Sequence, residues 1–256
     1  EITSILEQLA PLDYAEDFDN VGLLIGDKNA DVSGILVTLD TLEIVIEEAI
    51  SKKCNLIVSF HPIIFNGLKK ITGKNYVERT VLKAIKNDIA IYAAHTALDN
   101  CAKGVNAKIC EVLGQVAYEI QTLENTDKHI GMGMIGELEE AISEKSFLIQ
   151  LKSKMNAKVV RHSELIGKHV KKIAVLGGSG AFAIGSAKRA GADMFITADV
   201  KYHQFYEAEK QMVIADIGHF ETEQFTKNLL VDYLTEKIPN FAIHLSESLT
   251  NPIKYF

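Results

Sequence analysis

With 256 residues, the chain is long enough for one large domain or for two lobes with separate cores. Hydrophobic residues at 47% and charged residues at 24% are ordinary for a soluble globular protein, and a net charge of −7 argues against general attraction to nucleic acid or an anionic membrane. There is no apolar run of membrane-spanning length and no signal peptide, and the three cysteines form no close-spaced pair; reduced thiols in a cytoplasmic protein are expected.

The elements alternate. Thr3 to Leu9 reads as a short helix stopped by Pro11, and Asp17 to Asp27 as a polar turn, a strand and a turn. Ile35 to Leu39 is a strand. Thr41 to Lys52 has apolar residues at helical spacing, with Thr41 as the expected cap. Asn55 to Phe60 is a strand running into His61-Pro62. A helix over 75–87, a strand over 89–94 and a helix over 104–113 follow. The character changes between Gly114 and Gly136, where the Gly131-Met132-Gly133-Met134-Ile135-Gly136 run marks a hinge or tight loop. Then come a helix (143–155), a strand (171–176), a glycine-rich turn (Gly177 to Gly180), a helix (182–190), a strand (194–197), a helix (203–210), a strand (212–217), one long helix (221–237) and a final strand (241–245). Strands alternating with helices predict an α/β fold with mixed, largely parallel sheets.

Two stretches stand out, Ala94-His95-Thr96-Ala97-Leu98-Asp99 and Gly218-His219-Phe220-Glu221-Thr222-Glu223. Each reads His-x-x-x-acid after an apolar run. On a helix starting near residue 219, His219 and Glu223 lie one turn apart, so an imidazole and a carboxylate reach one point from a rigid element. A buried histidine bonded to backbone, with a Glu favoured by the helix dipole, is the competing account. His61, at a strand end fixed by Pro62, is a further metal-ligand candidate, as is Asp99. His95 could orient a ligand or transfer a proton. Asp199 and His203 fit a helix start, with Asp199 as an N-cap or a member of the site and His203 as a candidate for proton transfer. Gly177 to Gly180 lacks the spacing of a phosphate loop, yet could offer backbone N–H groups to an anion. His129, His162, His169 and His244 have no partner pattern. Lys168, His169, Lys171 and Lys172 form the one dense basic cluster and read as a solvated face.

The halves also repeat. Placing Ile35-Leu36-Val37 over Ile173-Ala174-Val175 puts Leu56-Ile57-Val58 over Met194-Phe195-Ile196 and His61 over Asp199, without a gap. After a modest gap, His95 falls on His219 and Asp99 on Glu223. Any two βαβ units share periodicity, so chance is the alternative. In open α/β sheets ligands bind outside the carboxyl ends of strands, where these polar residues fall in both halves.

Asp19-Asn20-Val21-Gly22-Leu23, His61-Pro62, Ala94-His95-Thr96 with Asp99, Gly131 to Gly136 with Glu137-Leu138, Gly191-Ala192-Asp193 with Thr197 and Asp199, and Gly218-His219 with Glu223 follow one another along nearly the whole chain. In this the sequence resembles the Nif-three-like proteins, often named GTP cyclohydrolase 1 type 2 homologues. The resemblance implies two related α/β lobes facing each other across a metal-binding cleft, a dinuclear divalent-metal site and a homohexamer. His61 and Asp99 would hold one metal, His219 the other, and Glu223 would bridge. The family commonly has two adjacent histidines before this proline, and here Phe60 takes the first position, which predicts weak or partial occupancy of the second metal site. Longer members carry a PII-like domain between the lobes; here Gly114-Gln115 runs straight into Val116, which sets the expected lobes at 1–115 and 116–256, the C-terminal part packing back on the first, with such an insert either absent or left out of the sequence near 115/116.

The expected function is divalent-metal binding, with one or two ions (zinc, manganese, iron, cobalt or nickel) per subunit, and metal-dependent hydrolysis of a nucleotide or phosphoester in which His95, His203 and Asp199 are the catalytic candidates. A non-catalytic metal-binding scaffold or regulator is the alternative, and Phe60 favours it.

Overall fold

The computed structural model describes residues 1–120 and 130–256, side chains excepted over 115–120. His129 and the 121–129 part of the stretch between Gly114 and Gly136 lie outside the described residues. The chain divides into two compact units, Glu1–Leu98 with Thr226–Lys254, and Asp99–Phe225 with Tyr255–Phe256.

The first unit opens with α1 (Ile2–Leu9), β1 (Gly22–Ile25), β2 (Ile35–Thr38), α2 (Glu43–Ser51), β3 (Leu56–Ser59), α3 (Tyr76–Lys86) and β4 (Ala90–Ala93). The short helix α4 (His95–Asp99) carries the chain into the second unit. That unit contains α5 (Val105–Leu113), β5 (Gln115–Ile120), β6 (Met134–Ser143), α6 (Glu144–Lys154), β7 (Arg161–His162), β8 (His169–Ser179), α7 (Ile184–Arg189), β9 (Met194–Ala198), β10 (Val213–Asp216) and α8 (His219–Glu223). The chain then returns to the first unit with α9 (Thr226–Lys237) and β11 (Ile243–Leu245). The division falls at Leu98/Asp99 rather than at 115/116 because α5 packs on β5, β6 and β8, while α9 and β11 pack on β2.

The first unit has a five-stranded sheet in the order β1-β4-β3-β2-β11, parallel except for β1. Strands β2 and β3 are buried along their whole length, as continuous apolar runs in a covered parallel sheet should be. Val45, Ile46 and Ala49 of α2 and Val81 and Ala84 of α3 pack with Leu36, Ile57 and Ile91 into one core, and Cys54 joins it. The second unit has a six-stranded sheet, β5-β6-β8-β9-β10-β7, in which β8, β9 and β10 run parallel and the rest antiparallel. Its core gathers Ala174, Leu176, Ile184, Ala187, Phe195, Met212 and Ile214.

The repeat read in the sequence has a structural counterpart inside each unit. Ile35 pairs with Leu56 and Ile173 with Met194, the same offset in sequence, and both pairs are parallel. Each unit's following strand, β4 or β10, leads to a five-residue helix that begins on a histidine and ends on an acid.

Several local expectations change. Gly177 to Ser179 is not a turn but the end of β8, and Met134 to Gly136 is the start of β6 rather than a hinge. The expected helix over 203–210 is a 3-10 helix over Tyr202–Ala208. The long helix over 221–237 is two helices, α8 and α9, separated at Gln224 and Phe225, where Gln224 Nε2 donates to the Met155 carbonyl at 2.7 Å. Thr41 does not cap α2; Leu42 takes that position without a side-chain bond. All three cysteines are buried, and none is in a disulfide. No described helix is long and apolar enough to cross a membrane.

The segment after β11 is tied to α2 through one carboxylate. Glu48 accepts from Ser246 Oγ at 2.7 Å, Glu247 N at 2.8 Å, Ser248 N at 3.1 Å and Ser248 Oγ at 2.6 Å, and pairs with Lys52 at 3.0 Å. Burial pushes this carboxyl up, but the Ser248, Glu247, Ser246 and Lys52 donors outweigh it and hold the group down at about 2, against an ordinary 4.5. A depressed carboxyl stabilises the fold above its unfolded value and loses that contribution as pH falls through its folded value. Glu48→Gln should therefore cost about 1–3 kcal/mol at pH 7 in urea unfolding, and the deficit should shrink between pH 4.5 and about 2.

Candidate functional site

In the second unit β10 delivers the chain to Gly218, whose φ of +99° turns it into α8. A side chain at Gly218 would fall on the Glu221 carboxylate, so only glycine fits. His219 then opens α8 and Glu223 closes it one turn later, with Glu223 buried at 3% exposure. Their facing atoms, His219 Nε2 and Glu223 Oε2, are 3.2 Å apart. Asp199, just past β9 at a φ of +54°, accepts from His219 Nδ1 at 2.7 Å. It is no N-cap: the 3-10 helix that follows is capped by Lys201. Asp199, His219 and Glu223 thus form one constellation.

The last turn of β8 is built around Glu223. A Cβ at Gly178, which has a φ of +66°, would land on Glu223 Oε1. The N–H groups of Gly177, Gly178 and Gly180 go to Asn106 Oδ1 at 2.9 Å, Thr222 Oγ1 at 2.9 Å and Thr197 Oγ1 at 3.1 Å. These three donors are spent inside the protein and are not offered to an anion. Gly178→Ala should cost about 2–4 kcal/mol, from the left-handed backbone and the displaced carboxylate together, measured by denaturant unfolding.

In the first unit His61 and His95 stand at the ends of β3 and β4. Their rings are 5.3 Å apart and edge-on. Asp40 Oδ1 accepts from His61 Nδ1 at 2.8 Å, and Thr250 Oγ1 donates to the other oxygen of Asp40 at 2.7 Å. Asp19 Oδ1 accepts from His95 Nδ1 at 2.7 Å, while its second oxygen takes the Thr96 N–H at 3.0 Å and the Thr96 hydroxyl. Burial pushes the Asp19 carboxyl up, and the bonds from His95, Thr96 and Asn20 more than reverse it, to about 2. Phe60 is fully buried, its ring 4.9 Å from that of His61 and 5.6 Å from that of His95.

One rule covers all three histidines. A carboxylate accepts at Nδ1, so in the neutral imidazole Nδ1 carries the proton and Nε2 the lone pair. This is the arrangement that orients imidazoles toward a metal ion, and within the second unit His219 and Glu223 are the pair that could hold one. Asp99 ends α4, and its carbonyl accepts from Asn106 Nδ2 at 3.4 Å. His203 is exposed, and its ring contacts are with Tyr202 at 5.1 Å and Tyr206 at 6.3 Å. Sequence reasoning missed Asp40 and the role of Asp19. Asp40 had a usable signal, a carboxylate two residues beyond the end of β2.

A family model described as Duf34/NIF3 (NGG1p interacting factor 3) matches residues 1–252. The chain belongs to the DUF34/NIF3 family. A Clostridium perfringens relative named GTP cyclohydrolase 1 type 2 homolog is 37% identical over 225 residues, 87% of this chain and 86% of the relative. A Bacillus subtilis relative of the same name is 28% identical, with 100% of this chain and 98% of the relative covered. That alignment runs over 365 positions, so the relative carries sequence that this DUF34/NIF3 chain of 256 residues does not. The crystal structure of a Bacillus cereus protein related to NIF3 superposes with a TM-score of 0.93 at 27% identity, covering 100% of this chain and 98% of that one.

Proposed function

We propose that this DUF34/NIF3 protein binds divalent metal through His219 and Glu223, and that His61 is a metal ligand as well. The observation that carries the reading is the pair on α8: an imidazole locked by Asp199 with its Nε2 3.2 Å from a buried carboxylate oxygen. Asp40 gives His61 the same orientation. Asp99 is a further proposed ligand. The nitrogen and oxygen donors admit zinc, manganese, iron, cobalt or nickel. Such an ion supplies Lewis-acid polarisation of a phosphoryl or carbonyl oxygen and a more acidic water. His95, held by Asp19, is the proposed group to take or give a proton through Nε2. Asp199 positions His219, and His203 is the weaker proton-transfer candidate.

The reaction class that fits is hydrolysis of a nucleotide or phosphoester, which the printed name of the relatives also suggests. The same reading has the protein working in the cytoplasm as a homo-oligomer, a hexamer. A non-catalytic metal-binding scaffold is the second reading, and the specific observation favouring it is Phe60, an apolar ring packed against both His61 and His95. Metal analysis of the purified protein, followed by a turnover assay with GTP and a panel of phosphoesters, separates the two. Metal together with turnover that His219→Ala removes supports the hydrolase. Metal without turnover across the panel supports the scaffold, and absence of metal under every loading condition overturns both.

A further inference from the structure

We infer that Phe18 and the segment from Phe65 to Lys74 form a receptor for a planar heteroaromatic ring carrying phosphate, on the side of the first unit where His95 and His61 stand. The inference rests on the reading of those histidines as part of a reacting site, and it names the ligand class and the residues that would hold it.

Four rings lead inward from solvent. Phe18 is 65% exposed and Phe65 44% exposed. Their centroids are 6.3 Å apart, tilted by 52°. Phe65 meets His95 edge-on at 6.1 Å, and His95 meets His61 at 5.3 Å. Single exposed phenylalanines are unremarkable, but a pair in ring contact with each other and with a carboxylate-held imidazole is a surface that a flat ligand would cover.

Neither phenylalanine sits on a loose segment. Asn20 Nδ2 donates to the Ile64 carbonyl at 2.5 Å, joining the Phe18 turn to the Phe65 segment. Asp19, next to Phe18, holds His95 and Thr96. Ile64 and Leu68 pack against the core of the unit. Further along, the buried Glu78 accepts from Thr72 N at 2.8 Å and Lys74 N at 3.0 Å. The arc between these anchors is therefore short and pinned, which keeps two exposed rings in fixed places and lowers the ordering cost of binding.

The same arc carries charge of the opposite sign to the chain. Lys69, Lys70 and Lys74 are exposed in a protein of net charge −7. Among the described residues none of their ammonium groups is in an ion pair. Lysine is a point-charge binder of phosphate, and an aromatic ring is a sequence-tolerant stacking partner for a base. Rings and ammonium groups on one pinned arc match a ligand with a flat face and an anionic tail.

The chain contains no tryptophan, so Phe65→Trp gives a single fluorescent reporter. It should be titrated with GTP, guanosine and tripolyphosphate, with and without added zinc. GTP is expected to quench the reporter and to bind roughly tenfold or more tighter than tripolyphosphate. In calorimetry on the otherwise native chain, Phe18→Leu with Phe65→Leu should weaken GTP by about tenfold and leave tripolyphosphate unchanged. Lys69→Gln with Lys70→Gln should weaken both and flatten the salt dependence. Equal affinity for GTP and tripolyphosphate, unchanged GTP binding in the double leucine variant, or no binding of any probe overturns the proposal. So does a double leucine variant that dissociates an oligomer while GTP binding persists, since the rings would then face another copy of the chain. Metal content measured on the same samples keeps the two readings apart: base-dependent GTP binding by a protein that takes up no metal would sink the metal centre and leave the receptor standing.

Discussion

Glu223→Gln should lower the metal affinity of the protein by more than the roughly 10–100-fold typical of losing an outer partner. The amide keeps the shape of a side chain that is 3% exposed and packed against Gly178, so the fold should survive. What it loses is the anionic oxygen 3.2 Å from His219 Nε2. Two measurements should move in opposite directions. Without metal, the variant should unfold at the same temperature as the native chain or higher, because a buried carboxylate has been neutralised. With metal at a hundred times the native dissociation constant, the native chain should gain about 2.7 kcal/mol and the variant little. Asp199→Asn tests the layer behind: it should reduce affinity by about 10–100-fold through the loosened His219 ring. A Glu223→Gln protein that binds metal as the native chain does would remove Glu223 from the site.

Phe60→His should raise the number of ions bound per chain. The native ring is fully buried between His61 and His95 and offers no donor atom. An imidazole there would add a nitrogen beside that of His61. In metal-free protein the substitution should cost about 1–3 kcal/mol, since a polar ring replaces an apolar one in a closed pocket. Added metal should recover that loss, and the metal-to-protein ratio by elemental analysis should increase. An unchanged ratio would mean that Phe60 is not what limits the site.

Much of this was legible in the residues. The His-x-x-x-acid spacing places His95 with Asp99 on one five-residue helix and His219 with Glu223 on another, because one helical turn separates positions four apart. The repeat was readable because parallel pairing keeps a fixed offset, and β2–β3 and β8–β9 share it. Errors arose where tertiary contacts chose the residue. Gly177 and Gly178 look like turn residues, but they are glycines because Val105, Ile109 and Glu223 press on the end of β8. The break between α8 and α9 leaves the apolar spacing intact, so periodicity alone carried one helix through it. Asp40 and Asp19 hold His61 and His95 across long sequence separations, and nothing local to a carboxylate names the imidazole it will meet.

The sheet of the first unit is completed by β11, which lies beside β2 and is made last. On the ribosome, β1 to β4 emerge long before it. At cellular synthesis rates the wait is roughly 7–30 seconds, during which one side of β2 offers unpaired backbone groups to any neighbouring strand. Until β11 is made β2 is an uncovered edge, and ribosomes stalled before β11 should yield aggregates rather than a truncated native unit.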